Sequence, residues 1–191
     1  MVQPVAFEEI RNIADYEIER SDWRPQVMAL KDRRRVRVGG HLTFLFENHD
    51  TVRYQVQEMM RIERIVRERD IRHELETYNE LIPAPYGLCA SLLIEYDSPE
   101  ERTVWLRELL GLEDHVWFQA GGLPPVKARF DTRQIASDRI SSVQYVKFDL
   151  GAERAAALSG GGRLIVDHPR YTASTELTGD ALTELVADVR P

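Results

Sequence analysis

Between Arg33 and Arg64 the chain reads RRRVRVGGHLTFLFENHDTVRYQVQEMMRIER, and its hydrophobic period changes there from two to 3.6. Val36 and Val38 alternate with arginines, Gly39-Gly40 tolerates positive φ, and Leu42, Phe44 and Phe46 resume the alternation. That is the pattern of a tight β-hairpin. Asn48 or Asp50 then caps a helix predicted over Thr51–Arg69, whose Val52, Val56, Met59, Met60 and Val66 fall on one face. A hairpin feeding an amphipathic helix is the local unit from which the fold is read.

On the helical wheel Glu63 falls inside this apolar stripe, with Gln55 beside it and Arg67 one turn on. A buried lone carboxylate costs several kcal/mol, so Glu63 must be paired, protonated or bound to a cation. Two readings stay open. One is a structural ion pair with Arg67 or with the Arg33–Arg37 run. The other is a carboxylate of shifted pKa that lines a cleft between this helix and the sheet. Glu58 and Arg61 point the other way, beside Tyr54, as a solvated face or a second polar surface.

The net charge of −7 argues against a dedicated nucleic-acid binder, which needs a basic face. A local exception is Lys31, Arg33, Arg34, Arg35 and Arg37, five cations in seven positions, which leaves a nucleotide or RNA contact as the third reading. The composition, 43% hydrophobic and 30% charged, is that of a globular domain able to bury a core without disulfides. The single Cys89 excludes an intramolecular disulfide. The N-terminus MVQPVAFEEIRNIADYEIER has neither the apolar core of a signal peptide nor that of a membrane span, so a cytoplasmic location is expected.

Along the chain, a helix is expected over Ala6–Arg20, broken at Ser21–Asp22, then a second one in which Pro25 sits in the first turn. The long helix is expected to break near Asp70 before HELETYNEL, and Pro83 and Pro85 end helical structure. CASLLIEY is apolar on both faces and reads as a central strand with Cys89 as a small core residue. Ser98-Pro99-Glu100-Glu101 opens a helix over residues 99–110 that ends at Gly111. His115–Ala120, Val126–Phe130, Ser142–Leu150 and Leu164–Val166 are strand candidates, GAERAAAL is a short helix, and Asp180–Val189 is a last amphipathic helix. These elements predict an α+β fold in a single domain, a mostly antiparallel sheet with helices packed around it. Its parts are N-terminal helices (1–34), a sheet with inserted helices (35–175) and a C-terminal helix (176–191).

Several side chains are candidates for a site, each with a plainer alternative. Asp70-x-x-His73-x-x-Glu76 has the spacing of helical metal ligands, or of a solvated face. His168, in Asp167-His168-Pro169, stands at a strand end where Asp167 would orient its ring, or simply closes the strand. Tyr78 and Asn79 precede a rigid Pro turn, where Asn79 is a natural C-cap or part of the same cleft as Glu63. Glu95 lies on an otherwise apolar strand. The Gly160-Gly161-Gly162 run lacks the Lys-Ser/Thr of a phosphate loop.

The succession RRV…LTFLFEN…TVRYQVQEMMRIER, ELETYNELIP, LLIEYDSPEERTVWLREL and DHPRY resembles the bacterial domain-of-unknown-function family numbered 3501, from the N-terminal helices to about Tyr171. The family motifs fall here on Tyr54, Gln55, Gln57, Glu58, Arg61, Glu63, Tyr78, Asn79, Glu95 and His168. The resemblance implies no assigned activity, cofactor or metal. Its members are often encoded near rubrerythrin-like proteins and iron–sulfur oxidoreductases, which implies a redox partner protein and a role in redox or oxidative-stress metabolism. Gln144 stands where that family commonly has histidine. The favoured reading is an accessory or ligand-binding protein in which Glu63, Arg61 and Tyr54 position a ligand or partner. The alternative is an enzyme acting on a small anionic substrate, with Glu63 or Glu58 as base or metal ligand. A homodimer is left open by the sequence.

Overall fold

In the computed structural model, which describes residues 3–189, the hairpin is formed by β1 (Arg35–Val38) and β2 (Leu42–Phe46). Val38 faces Leu42, so the turn is the three residues Gly39, Gly40 and His41. Gly39 alone of its two glycines has positive φ (66°), and a Cβ there would collide with the Tyr171 ring. The five residues of β2 are all buried, because both faces of the hairpin's inner strand are covered.

The predicted α+β architecture is observed. One sheet has the order β1-β2-β3-β7-β6, with β3 (Gly87–Ile94) at its centre, β7 spanning Val143–Asp149 and β6 Arg129–Phe130. The second has the order β5-β4-β8-β9, from Val126–Lys127, Val116–Ala120, Gly162–His168 and Tyr171–Leu177. Every ladder is antiparallel. The main core lies between the sheets, where the Phe118 ring is 6.3 Å from that of Phe46 and 5.3 Å from that of Phe148.

The sheets are linked at both margins. On one side the chain passes from β5 to β6 through Ala128, whose N–H donates to the Val116 carbonyl. On the other, Tyr171 donates its hydroxyl to the Val38 carbonyl at 2.7 Å and Thr175 to that of Arg37 at 2.8 Å. The polar alternation of β9, with Thr, Ser and Glu outward, suits an edge strand. It is also why no strand was expected there.

Helices cover the outer face of the first sheet. α1 runs unbroken over Ile13–Arg33, which corrects both the helix predicted over Ala6–Arg20 and the break at Ser21–Asp22. Asn12 caps it by accepting from the Asp15 N–H, and residues 7–9 form a separate 3-10 turn. Pro25 lies inside the helix and removes one internal hydrogen bond, and nearby Trp23 packs edge-on between Tyr16 of the same helix and Tyr54 of the next.

α2 (His49–Glu63) ends where Arg64 adopts left-handed φ of 54°, and α3 (Glu68–Asn79) starts afresh. The helix therefore does not continue to Arg69, and the break lies before Asp70. Glu63, the last residue of α2, is exposed, and past it the wheel no longer applies, so Val66 is exposed as well instead of joining the buried stripe. Val52, Val56 and Met60 do form it, with Ile71, Leu75 and Leu81. α4 (Pro99–Glu108) is capped by Ser98 and followed by Gly111 at positive φ, as its sequence signals indicate. α5 (Gly151–Ala157) and α6 (Gly179–Asp188) complete the chain.

The last helix is fastened by Arg34, the largest fully buried side chain. Its Nε donates to the Phe46 carbonyl at 2.8 Å, and its terminal nitrogens meet Glu184 at 3.1 Å and Asp188. Burial pushes the Asp188 carboxyl above its ordinary value even with Arg34 beside it. Arg34→Ala is expected to lower stability by about 3–5 kcal/mol, because it strands the Asp188 carboxylate and the carbonyls of Phe46 and Glu47. Urea unfolding measures this, and an unchanged midpoint would contradict the role given to the guanidinium.

Candidate functional site

Alternation on β7 sends Val146 and Phe148 into the core and turns Tyr145 and Lys147 to the opposite face. The antiparallel register sets Arg129 of β6 directly beside Lys147. The C-terminal end of α3 closes over them, and the space enclosed is a groove of about 570 Å³. Tyr78, Leu81, Phe130 and Tyr145 form its walls, with Arg129 and Lys147 among them.

The charges around this groove are not equivalent. Arg133 at the rim is engaged by Glu80 at 2.5 Å and by Asp131 at 2.7 Å. Arg129 and Lys147 have no carboxylate within ion-pair distance among the described residues, although the Lys147 charge is felt by Asp131 in the same groove. Burial raises the Tyr78 and Tyr145 hydroxyls above their ordinary pKa, so both stay protonated donors at neutral pH. Two cations, two phenols and an apolar wall have the chemistry that complements an anion with an apolar body.

Gln144 braces the rim from beneath. Fully buried, it donates from Nε2 to the Gln134 carbonyl at 3.1 Å and the Ser141 carbonyl at 2.8 Å, fixing the loop that carries Arg133.

Of the ten residues singled out from sequence, Tyr78 lines this groove and Gln55 lies beside its hydroxyl. Asn79 and Gln57 turn elsewhere, each gripping the main chain of the N-terminal segment, at Val5 and Arg11. Glu95 is exposed and accepts from the Thr43 hydroxyl at 2.6 Å. His168 is buried with both ring nitrogens used, Nδ1 accepting from the Arg170 N–H and Nε2 donating to the Leu110 carbonyl. Asp167 does not orient it: that carboxylate holds His115 at 3.0 Å and Trp117 at 3.1 Å.

Tyr54 is packed between Trp23 and the Lys31 ammonium, which stands 5.2 Å from its ring centre. Glu63 is exposed at the last residue of α2 and so does not line the cleft expected between that helix and the sheet. Asp70, His73 and Glu76 do not converge, and no group of three such side chains able to hold a metal ion occurs among the described residues. In the basic run, Arg33 pairs with Glu184, Arg34 is buried, and Arg35 meets Asp32. Cys89 is buried, and burial pushes its thiol up to about 11.

Sequence reading missed Arg129, Phe130, Tyr145 and Lys147. The available signal was the alternation in VQYVKFD, which puts an aromatic and a lysine on one side of a strand whose other side is Gln144, Val146 and Phe148.

Glu58 is the half-buried carboxylate that Glu63 is not. It accepts from the Tyr16 hydroxyl at 2.6 Å, from Arg20 at 2.7 and 3.1 Å, and from Arg61 at 3.2 and 3.3 Å. Burial alone would raise its pKa; the hydrogen bonds from Arg20, Tyr16 and Arg61 outweigh that and bring it to about 2. So acidic a group is a poor general base. Since the folded value lies below the ordinary 4.5, Glu58 stabilises the fold above that value and the contribution is lost as pH falls toward 2. Between pH 5 and 2 the native chain is expected to lose stability more steeply than Glu58→Gln. Parallel curves from urea melts across that range would refute the assignment.

The comparisons with known proteins bear on the whole chain. No curated protein matches it at a significant level. A crystal structure at 1.90 Å of a protein from Burkholderia pseudomallei K96243, described as a novel protein of unknown function, is 31% identical, with a TM-score of 0.92 over 98% of this chain and 100% of the other. The family model described as "Protein of unknown function (DUF3501)" matches residues 4–189. The family that the sequence motifs resemble is therefore the one to which this chain belongs.

Proposed function

We propose that this chain is an accessory, ligand-binding protein that holds a small acid in the groove between α3 and the β6–β7 edge. The observation that carries this reading is the side-by-side pair Arg129 and Lys147, two cations left without a carboxylate partner inside a concave, partly aromatic surface. The acid group sits against that pair, while a flat or apolar body rests on Tyr145, Phe130 and Leu81. Tyr78 and Tyr145 donate hydrogen bonds that orient it. Arginine supplies a planar fork and lysine a mobile point charge, a combination suited to carboxylate or phosphate. The setting in redox or oxidative-stress metabolism, with a rubrerythrin-like or iron–sulfur partner, rests on the family resemblance and gives the binding event its context. Among the described residues no helix is long and apolar enough to cross a membrane.

Titration calorimetry with inorganic phosphate, succinate and salicylate tests the reading. At least one of these is expected to bind saturably. Lys147→Ala or Arg129→Ala is expected to weaken it about tenfold or more, equivalent to about 1.4 kcal/mol. Affinity should also fall as ionic strength rises. Binding left unchanged by both substitutions would place the ligand elsewhere, and no binding by any of the three probes would overturn the small-acid reading.

A further inference from the structure

The segment Val5–Arg11 crosses α2 and α3 as a strap, and its attachment differs from that of the rest of the fold. Among the described residues no backbone–backbone hydrogen bond joins it to a helix or strand. Those it makes, from Glu9 to Ala6 and from Ile10 to Phe7, are internal. Side chains of the two helices grip its main chain instead. Asn79 accepts from the Val5 N–H at 2.9 Å and donates to the Val5 carbonyl at 3.0 Å. Gln57 accepts from the Arg11 N–H at 2.9 Å and donates to the Arg11 carbonyl at 2.8 Å. Arg53 donates from Nε to the Glu9 carbonyl at 3.1 Å.

An amide side chain that pairs with both the N–H and the carbonyl of one residue reproduces a rung of a β-ladder. It recognises extended backbone and reads no side chain, as in peptide recognition by strand addition. Specificity comes from the spaces between the clamps. Val5 is buried in the cluster of Val52, Val56, Met60, Ile71, Leu75 and Leu81. The Arg72 guanidinium lies 4.4 Å from the centre of the Phe7 ring, and the Glu9 carboxylate faces His49. The large inter-sheet core holds none of the strap's residues, so the strap can leave without opening that core.

We infer that the groove across α2 and α3 is a recognition site for a peptide of the form apolar-x-aromatic-x-acidic, extended on either side of a single 3-10 turn, and that Val5–Arg11 is its occupant in cis. A segment of a partner protein with this chemistry takes the strap's place, paired to the same amides. This is independent of the anion groove, which uses neither Gln57, Asn79 nor the strap.

The test uses the full chain carrying Val5→Asp, which unseats its own strap, and a fluorescein-labelled peptide of residues 3–12 followed by anisotropy. The variant is expected to bind the peptide saturably, and the native chain about tenfold more weakly or less, because its strap competes. Adding Asn79→Ala or Gln57→Ala to the variant is expected to weaken binding by a similar factor, about tenfold. A folded Val5→Asp chain that ignores the peptide overturns the inference, as does binding indifferent to both amide substitutions. If Val5→Asp does not fold, hydrogen exchange on the native chain decides. The Val5 and Arg11 amides should exchange by local opening, far faster than those of Phe44 and Leu92. Exchange of all four at the rate of global unfolding would show a strap that never leaves.

Discussion

A fully buried arginine imposes conditions on everything around it. Arg34 sits where α1 gives way to β1, and its guanidinium is satisfied by the carbonyl that ends β2 and by two carboxylates of α6. Charge in a low-dielectric interior is tolerated only when its hydrogen bonds are complete. The first helix, the far end of the hairpin and the last helix must therefore be in place together. Within the basic run Arg33, Arg35 and Arg37 are exposed, while Arg34 is turned inward as a fastening between elements about 150 residues apart in sequence.

What could be read from sequence was local. The Gly39-Gly40 turn, the doubly apolar central strand and the Ser-Pro-Glu-Glu start of α4 each signal through neighbouring residues, and each is where the signals put it. The wheel gives Glu63 its face but not its depth: it is the last residue of α2, and the buried stripe has already ended at Met60. The wheel assumes an unbroken helix, and a single left-handed arginine at position 64 ends the frame. Nothing about Arg64 as a residue type announces that conformation.

The site residues were hidden for a different reason: their partners are remote in sequence. Gln57 meets Arg11 across 46 positions and Asn79 meets Val5 across 74. The Arg129–Lys147 pair exists only through strand register. Tyr78 and Asn79 show how finely the chain divides its work. They are successive residues at the end of α3, yet one faces the groove beside β6 and β7 and the other the strap. The Tyr78-Asn79 pair is thus spread over two surfaces.

The seam between β1 and β9 has a consequence for how the molecule meets its neighbours. Exposed strand edges are templates for pairing with other chains. Here the two outermost long strands face each other, with the Tyr171 and Thr175 hydroxyls capping carbonyls of β1. The other margin ends in strands of two residues each, continuous with one another. Among the described residues the two sheets thereby offer little edge on which amyloid-like growth can start, with a hydroxyl-lined seam in place of a closed ladder.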